Sequence, residues 1–332
     1  MLGSSDQALC RAYDLAMLDL DGVVYVGGAA VPGAPDHLAR ARAAGMRLAF
    51  ITNNASRPPA RVAEHLRELG VEATPEDVVT SAQAAARLVA DRFGTGARVV
   101  CLGADGLREA LRSAGLVPVG ADDDAVAVCT GYGPDVVWSA IMRSAVRIRD
   151  GLPWVASNTD ATFPAEFGVA PGHGVQVDML RRFTGVEPVV AGKPERPLLD
   201  ETIRRVGGRR PLMVGDRLDT DIEGAQRAGI DSLLVLTGVT GLAELATAGD
   251  GLRPTYLARD LAGLAQAHGV PEKSADGFAL GGWLARTAGG RLEVSGDGDP
   301  DDWWRVVAAC AWAHLDETGE PAQVSGLAEP AR

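Results

Sequence analysis

The chain opens with short apolar runs separated by stretches of helical period. Ala16-Met17-Leu18 is such a run, and it breaks into Asp19-Leu20-Asp21-Gly22, the pattern of a buried strand ending in a turn. Gly33 to Ala44 has helical spacing and stops at Gly45, and Arg47 to Ile51 is a second strand candidate. Pro58 and Pro59 stand where a helix can start, and that helix is predicted to run to Leu69, before Gly70. Residues 97–102, 125–129, 211–214 and 232–236 repeat the short apolar run, with helical stretches between them. Strands regularly separated by helices predict parallel sheets in an α/β, doubly wound, Rossmann-like architecture.

The pattern changes near residue 272. Residues 271–277 are linker-like, residues 278–285 and 291–294 suit a hairpin, and 296–302 is an acidic turn. Trp303 to Leu315 then predicts a helix with apolar residues on most faces. A helix that apolar must be covered, either by the rest of the chain or by a second subunit.

Composition narrows the function classes. The chain has 332 residues, 46% hydrophobic and 23% charged, which suits about two domains with sizeable cores. The formal net charge is -12, which disfavours nucleic acid and anionic lipid as partners. It also repels a phosphorylated substrate, so any phosphate site needs a local positive centre. The cysteines, Cys10, Cys101, Cys129 and Cys310, lack zinc or redox spacing, and reduced thiols are expected. The first residues do not form a signal-peptide pattern, and no run reaches the roughly 18 apolar residues of a membrane span. A cytoplasmic protein is the expectation.

Parallel sheets bind ligands beyond the carboxyl ends of their strands. The polar residues there are Asp19 and Asp21, then Thr52-Asn53-Asn54, then Gly192-Lys193-Pro194, then Gly215-Asp216. Taken singly, each has an ordinary explanation. A lone DxD makes a turn or a cap, Asp219 and Asp221 suit a helix first turn, and a lone Lys is usually solvated. Clustered, the carboxylates need a divalent cation, because two of them about 4 Å apart repel by roughly 4 kcal/mol at an effective dielectric of about 20. Oxygen-only ligation by a few carboxylates fits magnesium.

The order DxDG, TNN, GKP, GDxxxTD, each after an apolar run, resembles the four motifs of the haloacid dehalogenase-like superfamily. The long insert between Thr52 and Lys193 resembles the subgroup with a type IIA α/β cap, which includes NagD-like and phosphoglycolate phosphatases. Ser157-Asn158-Thr159-Asp160, then Pro164, Pro171-Gly172 and Gly174, look like the same subgroup. The resemblance covers about residues 14–268. It implies a core of 12–80 and 188–271, a cap of 81–187 and a short α+β extension of 272–332. With its tail, the chain looks like the glycerol 3-phosphate phosphatases that carry an acetyltransferase-like (GNAT-like) segment. No Q/R-x-x-G-x-G/A pyrophosphate loop is present, which argues against an acyltransferase.

The roles follow from the resemblance. Asp19 is the nucleophile and a metal ligand. Asp21 is the general acid/base, and its carbonyl is a ligand. Thr52 and Asn53 orient the phosphoryl group, with backbone N–H groups of Asn54 and Gly22 assisting. Lys193 offsets charge on the nucleophile and phosphate. Asp216 ligates the metal, and Asp221 acts through a metal-bound water or hydrogen bonds. Dehalogenases lack the acid/base Asp, so Asp21 favours phosphate esters. The loop 158–174 is expected to recognise the leaving group, with Asp160 and Phe163 as candidate substrate contacts and His173 as a turn residue. The expected activity is magnesium-dependent hydrolysis of a small polyol phosphate, glycerol 3-phosphate first. Phosphoglycolate, pyridoxal phosphate and nucleotide monophosphates are the alternatives, and a regulatory protein with a degenerate core is the reading from another class. A homodimer through the cap or the extension is also compatible.

Overall fold

The computed structural model describes residues 1–165 and 168–330. Residues 166–167, inside the loop 158–174, and residues 331–332, at the end of the extension, lie outside the described residues. The chain divides into two units, one of residues 1–48 and 208–332, the other of residues 49–207.

In the first unit four parallel strands lie side by side in the order Tyr256–Ala258, Asp231–Val235, Pro211–Gly215 and Leu15–Leu18. Leu15–Leu18 is buried throughout, as its unbroken apolar run requires of a strand covered on both faces. Met17 sits opposite Met213 and Val214 opposite Leu233, so the carboxyl ends are nearly level. Asp19 extends the ladder by one bond, its N–H donating to Val214 O at 2.9 Å.

The tail belongs to this same unit. Glu272–Ser274, Gly277–Leu280, Trp283–Ala288 and Arg291–Gly296 form a four-stranded antiparallel sheet. The linker-like stretch therefore contributes an edge strand, and the run 278–285 is broken at Gly281-Gly282, where both φ values are positive. The helix Pro300–Thr318 begins inside the acidic turn, because Asp299 caps it by accepting from the N–H of Asp301. Trp303, Trp304, Val307 and Trp312 share one core with Leu234, Leu245 and Leu257. Trp312 Nε1–H donates to Leu245 O at 2.7 Å. The apolar helix is thus covered within its own unit.

The strand Arg47–Thr52 runs into the second unit, where Phe50, Ile51 and Thr52 pair in parallel with Val78–Thr80, and Thr80 caps the helix Ser81–Phe93. A five-stranded parallel sheet comes next, in the order Val189–Val190, Trp154–Ala156, Ala127–Thr130, Arg98–Leu102, Val117–Val119. Val100, Val128, Trp154 and Ala156 pack there against Ile148, Val177 and Leu180. The strand alternation expected from the sequence is present in both units. Cys10, Cys101, Cys129 and Cys310 are free thiols.

Candidate active site

The site residues expected from the sequence fall into two groups, one in each unit. The first is acidic. Asp19, Asp216 and Asp221 each bring a carboxylate oxygen to within 4.8 Å of the others. Asp19 follows Leu18 and Asp216 follows Gly215, so two adjacent parallel strands deliver them to the same edge. Asp221 comes from the wide turn Leu218–Ile222. Its Oδ2 accepts from the N–H groups of Asp216 and Arg217, at 3.2 and 3.1 Å, which folds the turn back over the strand end. Asp216 and Asp221 are buried, Asp19 is half-buried, and Asp21 is exposed. Asp219 forms a bidentate pair with Arg217 and stands on the surface.

Three glycines let the backbone crowd these carboxylates. Gly22 has φ +85°, and a Cβ there would lie 2.4 Å from Asp216 Oδ2. A Cβ on Gly238 would lie 1.9 Å from the same oxygen, and one on Gly215 would lie 2.2 Å from Asp221 Cβ. The loop after Asp231–Val235, which sequence reasoning passed over, also serves the cluster. Val239 N–H donates to Asp216 Oδ2 at 2.7 Å, and Thr237 Oγ1 donates to Gly22 O at 2.5 Å. Its signal was the strand-end rule itself, applied to Leu236-Thr237-Gly238.

Three carboxylate oxygens at these separations repel by about 3 kcal/mol per pair at an effective dielectric of about 20. A hard divalent cation relieves that repulsion, and an all-oxygen donor set with few protein ligands suits magnesium. Among the described residues this is the one grouping of three or more potential ligands of the His, Cys, Asp and Glu type.

The second group is built on amides. Thr52, Asn53 and Lys193 are buried, and Asn54 is exposed. Asn53 Oδ1 accepts from Lys193 N–H at 2.8 Å. Its Nδ2 donates to Lys193 O at 3.0 Å and to Asp160 Oδ1 at 2.9 Å. The Asn53 carbonyl accepts from Ser81 Oγ and from Asn158 Nδ2, at 2.5 and 2.7 Å. Asn54 N–H donates to Thr52 Oγ1 at 3.0 Å, which leaves the threonine O–H to point elsewhere.

The cap motif has a steric explanation. A Cβ on Gly172 would lie 2.2 Å from Asp160 O, and one on Gly174 would lie 2.2 Å from Thr159 O. Only glycine lets the helix start at 173 approach this loop. Phe163 lies on the strand Thr162–Ala165 and meets Tyr132 edge-on, with centroids 4.8 Å apart. His173 is a buried helix-start residue whose Nδ1 lies 2.9 Å from Asn158 O, and burial lowers its pKa to about 4. It is therefore neutral, with Nδ1–H donating to that carbonyl. Ser81 and Tyr132 had no motif signal that separated them from structural positions, whereas Asn158 stood in the Ser157-Asn158-Thr159-Asp160 motif without a role of its own.

Comparison with known proteins agrees with this geometry. A family model described as haloacid dehalogenase-like hydrolase matches residues 16–117, and a second, HAD-hydrolase-like, matches 190–264. The chain is 43% identical over 316 residues to the D-glycerol 3-phosphate phosphatase of Mycobacterium tuberculosis, covering 92% of this chain and 88% of that protein. It is 34% identical to the acid sugar phosphatase of Staphylococcus aureus, over 76% of this chain and 96% of the other. The crystal structure of the glycerol phosphate phosphatase of M. tuberculosis in complex with magnesium superposes with a TM-score of 0.85 at 41% identity, covering 95% of this chain and 94% of that one. The 4-nitrophenylphosphatase of Thermotoga maritima gives 0.72 at 29% identity, covering 77% and 98%. With this similarity along nearly all its length, and with acidic residues at the strand ends where the motifs require them, the chain belongs to the haloacid dehalogenase-like hydrolases.

Proposed function

We propose that the chain is a magnesium-dependent phosphatase that hydrolyses the monoester of a small polyol, glycerol 3-phosphate above all, through an aspartyl-phosphate on Asp19. The observation that carries this is the cluster of Asp19, Asp216 and Asp221 in a chain so similar to a D-glycerol 3-phosphate phosphatase. The magnesium complex of its structural relative supports the choice of cation. Asp19, Asp216 and Asp221, with the Asp21 carbonyl, are the groups that would hold it. When bound, the cation neutralises the carboxylates and the phosphoryl oxygens, so that an anionic nucleophile can approach an anionic ester.

A carboxylate oxygen of Asp19 attacks phosphorus. The P–O bond to the alcohol breaks as Asp21 gives its proton to the leaving oxygen. Water then attacks the aspartyl-phosphate, Asp21 takes a proton from it, and the P–O bond to Asp19 breaks to release inorganic phosphate. Splitting one hard displacement into two easier ones is the gain from covalent catalysis. Lys193, with Thr52 and the backbone N–H groups of the 52–54 and 19–22 turns, offsets charge on the phosphoryl oxygens. The exposure of Asp21 supports its acid/base role, because the leaving alcohol must reach it.

The domain scheme belongs to the same proposal, with a core of 12–80 and 188–271, a cap of 81–187 and an extension of 272–332. So do leaving-group recognition from the loop 158–174 through Phe163, a cytoplasmic location and a homodimer. Among the described residues no helix is long and apolar enough to cross a membrane.

Phosphate release from glycerol 3-phosphate, phosphoglycolate, pyridoxal phosphate and nucleotide monophosphates, compared by kcat/KM with magnesium, tests the assignment. Asp19→Asn is expected to lower release on the order of 10³-fold or more. Full activity in that variant sinks the nucleophile assignment. A panel without turnover would favour a regulatory protein with a degenerate core.

A further inference from the structure

We infer that Asn53 serves phosphoryl transfer by orienting Lys193, not by donating to the phosphate, and that Asp160 is a positioning residue acting through Asn53. The inference rests on the phosphatase reading above and revises two roles that the motifs suggest.

Donor supply limits what the Asn53 side chain can do. A primary amide has two N–H groups and one carbonyl oxygen. In Asn53 the N–H groups have two acceptors, Lys193 O at 3.0 Å and Asp160 Oδ1 at 2.9 Å. The oxygen accepts from Lys193 N–H at 2.8 Å. The side chain therefore grips both main-chain groups of Lys193 at once, as one amide pairs with another, and neither N–H is left for a phosphoryl oxygen. Asn53 is buried, so water cannot substitute for a lost partner without a rearrangement.

The grip is itself braced. Ser81 and Asn158 both donate to the Asn53 carbonyl, which fixes its main chain. Asn158 Oδ1 accepts from Asp160 N–H at 3.2 Å, which turns the Asp160 carboxylate toward Asn53. His173 in turn donates to the Asn158 carbonyl. Gly192 is needed because a Cβ there would lie 2.5 Å from Asn53 Oδ1. These contacts converge on the peptide of residue 193, and through it they set the root of the one lysine among the motif residues. A displacement of about 1 Å in such a group can lower turnover on the order of 10²-fold.

A double-mutant cycle tests this, with kcat and kcat/KM measured on glycerol 3-phosphate and on 4-nitrophenyl phosphate, whose leaving group has no aliphatic hydroxyl. Asn53→Ala is expected to lower kcat on the order of 10²-fold, and Asp160→Ala by about 30-fold. The double variant should lie within about threefold of Asn53→Ala alone, because one residue acts through the other. Each loss should be equal on the two esters within about threefold, since the phosphoryl group is common to both. Asp160→Asn keeps a carbonyl oxygen facing Asn53 Nδ2 and should recover about tenfold over Asp160→Ala, which a general loss of folding would not permit. Losses that multiply in the double variant overturn the inference. So does an Asp160→Ala loss confined to glycerol 3-phosphate, because that marks a direct contact with the substrate hydroxyls. A wild-type protein inactive on both esters overturns the phosphatase reading and this inference with it.

Discussion

Two histidines show how burial turns a residue into a pH sensor of stability. His173 and His268 are buried, and desolvation lowers both pKa values to about 4 from an ordinary 6.5. His268 Nε2–H donates to Gly263 O, and Nδ1 accepts from Arg305, so its ring is held in the neutral tautomer. The adjacent guanidinium also opposes a second positive charge. The folded state therefore excludes a proton that the unfolded chain accepts below about pH 6.5. Their contribution is complete above that pH and is lost as pH falls toward 4. The upper bound is about 3 kcal/mol for each histidine. Urea unfolding from pH 7 to 4.5 should show wild-type stability falling faster than that of His268→Gln. Parallel curves for the two proteins would remove His268 from the explanation.

At the scale of elements, the helix Pro300–Thr318 shows how local signals and packing cooperate. Asp299 caps it, Pro300 opens it, and Gly319 closes it with φ +75°. These signals set its ends, while burial supplies most of its stability. Trp303 and Trp304 meet edge-on at 5.0 Å. Arg253 lies 5.3 Å from the Trp312 ring centroid, and its two Nη groups also grip Asp316, at 2.8 and 2.7 Å. Removing the Trp312 ring leaves a large cavity and takes one of two donors from Leu245 O, which keeps the N–H of Ala248 at 3.2 Å. Trp312→Ala is expected to cost about 4 kcal/mol. A loss under about 1 kcal/mol in denaturant unfolding would mean that the helix is an appendage and not part of the core.

Across the whole molecule, charge and exposed apolar surface point in different directions. A net charge of -12 favours separation of copies in solution. Against it, Trp138, Met142 and Val146 stand exposed at i, i+4 and i+8 on the helix Trp138–Arg149. Phe183 is exposed too, with the Arg149 guanidinium 5.5 Å from its ring. Such a stripe on charged surroundings favours self-association. The tail offers less, because its apolar helix is already covered in its own unit. Light scattering is expected to give a dimer for the wild type and a monomer for Trp138→Glu. A monomeric wild type would refute the homodimer.

The sequence by itself determined the strand alternation and the identity of the acidic residues at the strand ends. Both come from local rules, since an apolar run must be buried and a parallel sheet presents the residues just past each strand to its ligand-binding edge. Asp19 and Asp216 were legible for that reason. The tail helix was legible as apolar, but its cover was not, because coverage depends on contacts distant along the chain. Tertiary structure alone decided that Leu245 and Leu257 meet Trp312 and Trp303 in one core. It also decided how Asn53 spends its hydrogen bonds, since its partners Ser81, Asn158, Asp160 and Lys193 lie from 28 to 140 residues away. A motif names the amide at position 53, but only the fold shows that its N–H groups are already engaged.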